Sequence, residues 1–428
     1  MNVFKMGLRS LLYRKRQYIS LFLVCLFGVG VSLFCVYLIQ GMLFALETKA
    51  KIYYGGDLMF IGGKNKLSFD NAKSFVEKLE PVFPEGTTVS SRFDFDADYA
   101  AFYFEGTGVR QRIIKGVDFA KEKNLFKAFN YVAGGVEDIA GTNGVLLSQP
   151  IAEILGVKTG DSITMMLITS RGYTNTVTLV VKGIFKDSSL FGMYTSYMDI
   201  NHLLEAYGMP RDWANRICIN VPDGSASEKD ILMYQKSLES LFNMFHLVED
   251  KQVFYDQLLS GKFSEPTYAL IKLSANLEDL QILIDAMKGI AAFVIITLLV
   301  IIIVGVSSTY RIIAMKRINE IGIYMSIGMK RQDILFMLLL ETLILLFFGC
   351  LGGLCFALLL CKLVGVFNLS IIPAFDIFLT DGVLVPIVSI GFFVLVAIAV
   401  CVTTLVAVLF AVRKSVSVMP STALGVTE

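Results

Sequence analysis

Apolar residues gather into four stretches, at 18–46, 289–310, 334–366 and 383–412, and their spacing is very uneven. Each exceeds the ~20 apolar residues that a helix needs to cross a ~30 Å hydrocarbon layer. A long segment of ordinary mixed composition, 47–275, separates the first from the second, whereas the last three follow closely on one another. The pattern predicts four transmembrane helices, with one large polar domain hung between the first two. As a helix the first stretch would run about 43 Å, more than a bilayer core, so it is expected to continue as a stalk. The second is expected to do the same. Asn276 is placed to cap a helix whose first turn holds Glu278 and Asp279, and Leu280, Leu283, Ile284, Met287 and Ile290 carry an apolar stripe onward. The first stretch is too long for a signal-peptide core and no small-x-small site follows it, so a retained anchor is expected.

Within the polar segment the periods are mixed. Alternating or β-branched runs at 57–61, 99–105, 111–117, 162–168, 175–185 and 216–221 predict strands. Helical spacing covers 70–79, 149–155, 200–207 and 228–245, and 224–227 reads as a linker from a β-rich part to a helical one. The Gly55-Gly56 and Gly62-Gly63 pairs frame a run that would enter a sheet directly from the first stalk. The expected fold class is therefore an α-helical membrane protein with four transmembrane helices plus a mixed α/β domain between the first and second.

Charge orients this arrangement. Lys5, Arg9, Arg14, Lys15 and Arg16 precede the first span; Arg311, Lys316, Arg317, Lys330 and Arg331 fill the loop between the second and third; Arg413 and Lys414 follow the fourth. Asp376 and Asp381 lie between the third and fourth. Because Lys and Arg stay on the cytoplasmic side, both termini and the basic loop are expected inside and the large domain outside. The formal net charge is only +1, so no global field recruits nucleic acid. Cys25, Cys35, Cys350, Cys355, Cys361 and Cys401 fall in spans as small packing residues, and Cys218 alone falls in the polar domain, which therefore has no internal disulfide.

A search for catalytic chemistry returns nothing. His202 and His246 are the two histidines, and neither has a zinc-type spacing to cysteine. No G-x-x-x-x-G-K-[ST] phosphate loop and no G-x-S-x-G elbow occurs. Asp94, Asp96 and Asp98 alternate, which suits either a hard cation or a solvated strand face, the second being the commoner outcome. The chain is expected to be no enzyme and to bind no cofactor itself. In the third span Glu341 is an intramembrane acid, expected either to pair with Arg311, Arg317 or another subunit, or to snorkel to the interface. Gly28-x-x-x-Ser32 and Gly349-x-x-x-Gly353 are small-residue pairs that let helices approach closely.

From the basic loop into the third span run Arg317, Glu320-Ile321-Gly322-Ile323, Gly328, Lys330-Arg331, Glu341 and the Gly349/Gly352/Gly353 cluster. This pattern resembles the permease signature of the FtsX/MacB superfamily of ABC transporters. Ala411 to Ser415, followed by Pro420 and Ala423-Leu424, is similar to the family's closing element, and Ile114-Lys115-Gly116-Val117-Asp118 to a turn of MacB-like domains. The resemblance implies a MacB-type (type VII) permease, with an FtsX-like domain at about 287–424. The segments are then a cytoplasmic start (1–17), first helix and stalk (18–46), extracytoplasmic domain (47–275), second stalk and helix (276–310), coupling loop (311–333), third and fourth helices (334–366 and 383–412) and a cytoplasmic tail (413–428). It also implies a dimer with a second copy or paralogue in the bacterial cytoplasmic membrane, in contact with lipid. A separate cytoplasmic ATPase subunit would hold ATP and magnesium. Arg317, Glu320, Ile321, Gly322, Ile323, Gly328, Lys330 and Arg331 would transmit its closure, from an amphipathic helix at about 315–327 with basic residues outward and Ile318, Ile321 and Ile323 toward the bilayer or a partner groove. The implied activity is mechanotransmission that releases lipoproteins or amphiphilic cargo, and the aromatic- and Met-rich domain suits such cargo. The alternative is an FtsX-like transducer that activates an external cell-wall hydrolase, although those relatives carry smaller external domains.

Overall fold

The first apolar stretch lies in a helix of 40 residues, α1 (Lys15–Tyr54). At 1.5 Å per residue it is about 60 Å long, twice the thickness of a hydrocarbon layer. The computed structural model describes residues 15–97, 99–186, 191, 194–222, 226–369, 373–380 and 382–416. Lys5, Arg9, Arg14, Asp98, Asp381, Pro420 and Ala423-Leu424, all named above, lie outside the described residues, as do Gly192, Met193 and Gly224. The chain divides into two compact units, one of residues 1–43, 284–368 and 383–428 and one of residues 44–283 and 369–382.

The second unit holds the sheet. Gly55 and Gly56 end α1 with φ of 97° and 147°, and a Cβ on Gly55 would lie 2.5 Å from the Cys218 sulfur. Only glycine fits a left-handed backbone pressed so closely to a strand. The carbonyls left free at the end of α1 are met by the buried Arg92, which donates to Ile52 O (3.0 Å) and Tyr53 O (3.1 Å) while paired with Glu122. The chain then enters the sheet at once through β1 (Leu58–Gly63).

Eleven further strands follow: β2 (Thr88–Asp96), β3 (Ala101–Phe104), β4 (Thr107–Arg110), β5 (Ile113–Val117), β6 (Tyr131–Gly134), β7 (Gly144–Ser148), β8 (Ser162–Ile168), β9 (Thr174–Phe185), β10 (Thr195–Asp199), β11 (Arg216–Asn220) and β12 (Thr267–Lys272). They run in the order β12-β1-β11-β2-β5-β10-β7-β9-β8-β3-β4, with β6 on β9. β5 with β10 and β7 with β9 are parallel and the remaining pairs antiparallel. β8, whose side chains alternate between exposed and covered, forms a hairpin with the first half of β9, from Ile168↔Thr174 to Ser162↔Val180. The helices on the sheet have clear local causes. In α2 (Ala72–Leu79) the Asn71 side chain accepts from Ser74 N, and α3 (Lys123–Phe126) is a single turn. Pro150 opens α4 (Gln149–Leu155), Asp199 caps α5 (Ile200–Tyr207), and a Ser227–Asp230 capping box starts α6 (Glu228–Glu239). α7 (Lys251–Leu259) and α8 (Leu273–Asn276) complete this unit's helices.

Three expectations need correction here. The helix foreseen over 228–245 stops at Glu239, and the part after it is not purely helical, because β12 returns to pair with β1. Asn276 does not cap the next helix. It ends α8, its carbonyl accepts from the Tyr54 hydroxyl at 3.0 Å, and Leu277 intervenes before α9 (Glu278–Lys316). Asp94 is not on a solvated face: Lys115 and Arg216 both pair with it.

The first unit is built from long apolar helices. Beside the first part of α1 and most of α9 it contains α10 (Ile318–Ser326), α11 (Arg331–Val364) and α12 (Ile390–Val416). Among the described residues four helices are long and apolar enough to cross a membrane. The fourth helix starts at Ile390 rather than near 383, because Pro386 supplies no N–H and Ile387 N instead bonds Tyr37 O at 3.1 Å. Small residues set the helix contacts. A Cβ on Gly349 would lie 2.7 Å from Cys25 Cβ, and one on Gly353 2.9 Å from Val29 Cβ, so α11 packs on α1 at backbone distance. A Cβ on Gly28 would lie 2.6 Å from Ile302 of α9, and Ser32 returns its hydroxyl to Gly28 O at 2.8 Å.

Candidate coupling site

Between α9 and α10 one residue, Arg317, leaves the helical backbone, with φ −99° and ψ 10°. Its side chain turns inward and is 2% exposed. Nη1 lies 2.7 Å from Glu341 Oε2, and Nε lies 3.2 Å from Glu320 Oε2. Tyr18, near the start of α1, donates its hydroxyl to the same Glu341 oxygen at 3.0 Å. Three segments that lie far apart in sequence thus meet on one carboxylate. Glu341 is fully buried, and its Oε1 has no hydrogen-bond partner among the described residues. A buried acid of this kind is tolerable only while its counter-ion stays in place.

The turn after α10 is equally well defined. Met329 N donates to Tyr324 O and Gly328 N to Met325 O, both at 3.0 Å, with Gly328 at φ 93°. That is a Schellman closure, and its left-handed position selects glycine. Lys330, extended, then starts α11. The segment from Arg317 to Arg331 is therefore a helix and turn with both ends specified.

Its residues divide into two sets. Arg317, Ile321 and Gly322 face inward, while Ile323, Ile327, Gly328, Lys330 and Arg331 are exposed and Glu320 is about one-third exposed. Two expectations are thereby corrected. Arg317 is not an outward basic residue, because burial of Glu341 demands it. Ile323 does not share the face of Ile321, since two residues along a helix turn the side chain by roughly 200°. Of the partners considered for Glu341, the contact is with Arg317; Arg311 is exposed. Tyr18 carried no sequence signal, since a tyrosine at the edge of an apolar span is ordinary. No group of three or more metal-ligating side chains occurs among the described residues. Displacement of α10 would move or break the contacts of Arg317 with α11 and α1.

Residues 290–417 match the family model described as the FtsX-like permease C-terminal domain. The match takes in Arg317, Glu341 and the turn between them and leaves out Tyr18. No curated protein matches the chain.

Proposed function

We propose that this chain, an FtsX-like permease, is the membrane subunit of an ABC transporter and passes ATP-driven closure of a separate cytoplasmic subunit to its α/β domain. The observation that carries the reading is the buried contact of Arg317 with Glu341 at the root of α10. An ATPase docked on the exposed side of the segment, at Ile323, Ile327, Lys330 and Arg331, would push on a helix that cannot yield alone. Low-dielectric burial makes the ion pair stiff, so the push passes to α11 and α1. Backbone continuity through α1 and α9 then carries it to the chain that forms the sheet.

The same reading places the protein in a bacterial cytoplasmic membrane, with both termini inside and the α/β domain outside, as the basic flanks favour. It works as a dimer with a second copy or a paralogue, and its cargo is a lipoprotein or another amphiphile. The size of the α/β domain, twelve described strands, favours cargo handling over simple activation of a hydrolase.

The test uses the purified chain with and without its ATPase. Alone it should hydrolyse no ATP. Ile323→Asp and Glu320→Lys should lower stability by no more than about 1 kcal/mol each and weaken ATPase binding, or leave hydrolysis running without cargo movement. A bulky residue at Gly322 should add a folding defect, because Gly322 is buried. Full transport by a well-folded Ile323→Asp, Glu320→Lys double variant would remove this segment from the mechanism.

A further inference from the structure

The α/β unit contains a polar cavity of about 500 Å³, well inside the range of small-molecule sites. It lies where the chain enters and leaves the sheet. Tyr53 and Tyr54, from the last turn of α1, line it together with Asn276, the last residue of α8. Asp94 of β2 and Arg216 of β11 form its floor, and Arg112 and Lys251 add two more cations to the lining.

The floor is charged yet incompletely bonded. Asp94 Oδ2 is held by Lys115 and, at 3.0 Å, by Arg216, and the Lys115 ammonium lies 3.8 Å from the centre of the Tyr53 ring. Three buried polar atoms of the cavity nevertheless lack a hydrogen-bond partner among the described residues: Asp94 Oδ1, Asn276 Oδ1 and Arg216 Nε. Asp94 is 10% exposed and Asn276 4%. Buried groups of this kind are normally satisfied, because leaving one unmet costs about 1–3 kcal/mol. Two orphan acceptors and one orphan donor in one cavity define the complement: a molecule that both donates and accepts. The charges add a sign. Arg112, Arg216 and Lys251 outnumber Asp94 and Asp96 in the lining, and Lys115 lies directly behind.

We propose that this cavity is a binding site for a small organic acid that also carries ammonium or hydroxyl donors. The acid group lies against Arg216, Arg112 and Lys251, and the donors reach Asp94 Oδ1 and Asn276 Oδ1. An acid without donors would leave the two acceptors unmet, and a molecule without an acceptor would leave Arg216 Nε unmet. Tyr53 and Tyr255 supply flat walls for the carbon skeleton. The site depends on this geometry alone and stands whether or not the chain is a transporter subunit.

The experiment is calorimetric titration of the full chain in detergent with four probes: glutamate, gluconate, acetate and glycerol. Saturable binding of glutamate or gluconate, with acetate and glycerol at least tenfold weaker, is the expected result. Preference for glutamate identifies ammonium as the donor, and preference for gluconate identifies hydroxyl. Arg112→Gln with Lys251→Gln, both away from the buried floor, should weaken binding by about tenfold, as loss of two partly solvated ionic contacts would. Thermal unfolding of this variant should match the unmodified chain. Failure of both acids to bind saturably overturns the proposal and leaves a purely structural charge cluster. So does binding that the double substitution leaves unchanged.

Discussion

Replacing Arg317 by methionine leaves the Glu341 carboxylate, fully buried, with the Tyr18 hydroxyl as its remaining hydrogen-bond partner among the described residues. Breaking a buried pair from one side costs about 3–5 kcal/mol, because the surviving charge keeps its desolvation penalty and loses its partner. The neighbouring contacts set a scale for comparison. Tyr18→Phe removes the hydroxyl bond to a charged acceptor and the longer one accepted from Arg317 Nη1 (3.4 Å) and keeps the ion pair, so a loss of about 1.5–3 kcal/mol is expected. Glu320 is 35% exposed and screened by water, so Glu320→Gln should cost less than about 1 kcal/mol. The decisive variant is Arg317→Met combined with Glu341→Met. Replacing both ions of a buried pair by apolar groups is often neutral or better, so the double variant should recover most of the single loss, with a coupling energy of about 3 kcal/mol or more. Denaturant unfolding of the detergent-purified chain, followed by circular dichroism, measures all four corners of the cycle. Additive single losses would refute the reasoning, since the carboxylate and guanidinium would then contribute independently.

Three further outcomes are expected. In a cysteine-free background, a thiol at Ser260 should react with an impermeant reagent added to intact cells and one at Ser326 should not; the reverse pattern rejects the topology. Gly353→Ala should destabilise by about 1–3 kcal/mol, because its Cβ would meet Val29 Cβ and Gly30 N at 2.9 and 3.0 Å. Gly391→Ala, whose nearest neighbour is the Ser389 hydroxyl at 3.6 Å, should stay within about 0.5 kcal/mol in the same unfolding assay, and equal effects would discount the helix contact. Burial draws the pKa of Lys115 down to about 8 against the opposing pull of Asp94. The unfolded chain, with a lysine pKa of about 10.4, then binds more protons than the native one above pH ~8, so this group's contribution rises with pH across that window and is lost as pH falls through ~8. Thermal unfolding from pH 7 to 10 should therefore favour the unmodified chain over Lys115→Met increasingly toward pH 10, and a constant difference would contradict the assignment.

Four membrane-length helices and the α/β insertion after the first of them were legible in residue order alone, because membrane crossing depends on a local sum of hydrophobicity and sheet faces on a local period of two. Helical spacing over 149–155 and 200–207 matched α4 and α5, whose starts are fixed by Pro150 and Asp199, near neighbours in the chain. Strands β7 and β10 escaped notice because every side chain in them is buried, which erases alternation. Asp94 looked like one of three solvated acids, and it is buried because Lys115 and Arg216 reach it from two other strands. Glu341 stood out in the sequence as a misplaced charge, whereas its partners did not. Arg317 lies 24 residues before it and Tyr18 323 residues before it, and only folding brings such distant side chains to one oxygen. Local chemistry is written along the chain, and sites assembled by packing are not, because a long-range contact is selected by the whole core that closes around it and leaves no period or spacing of its own.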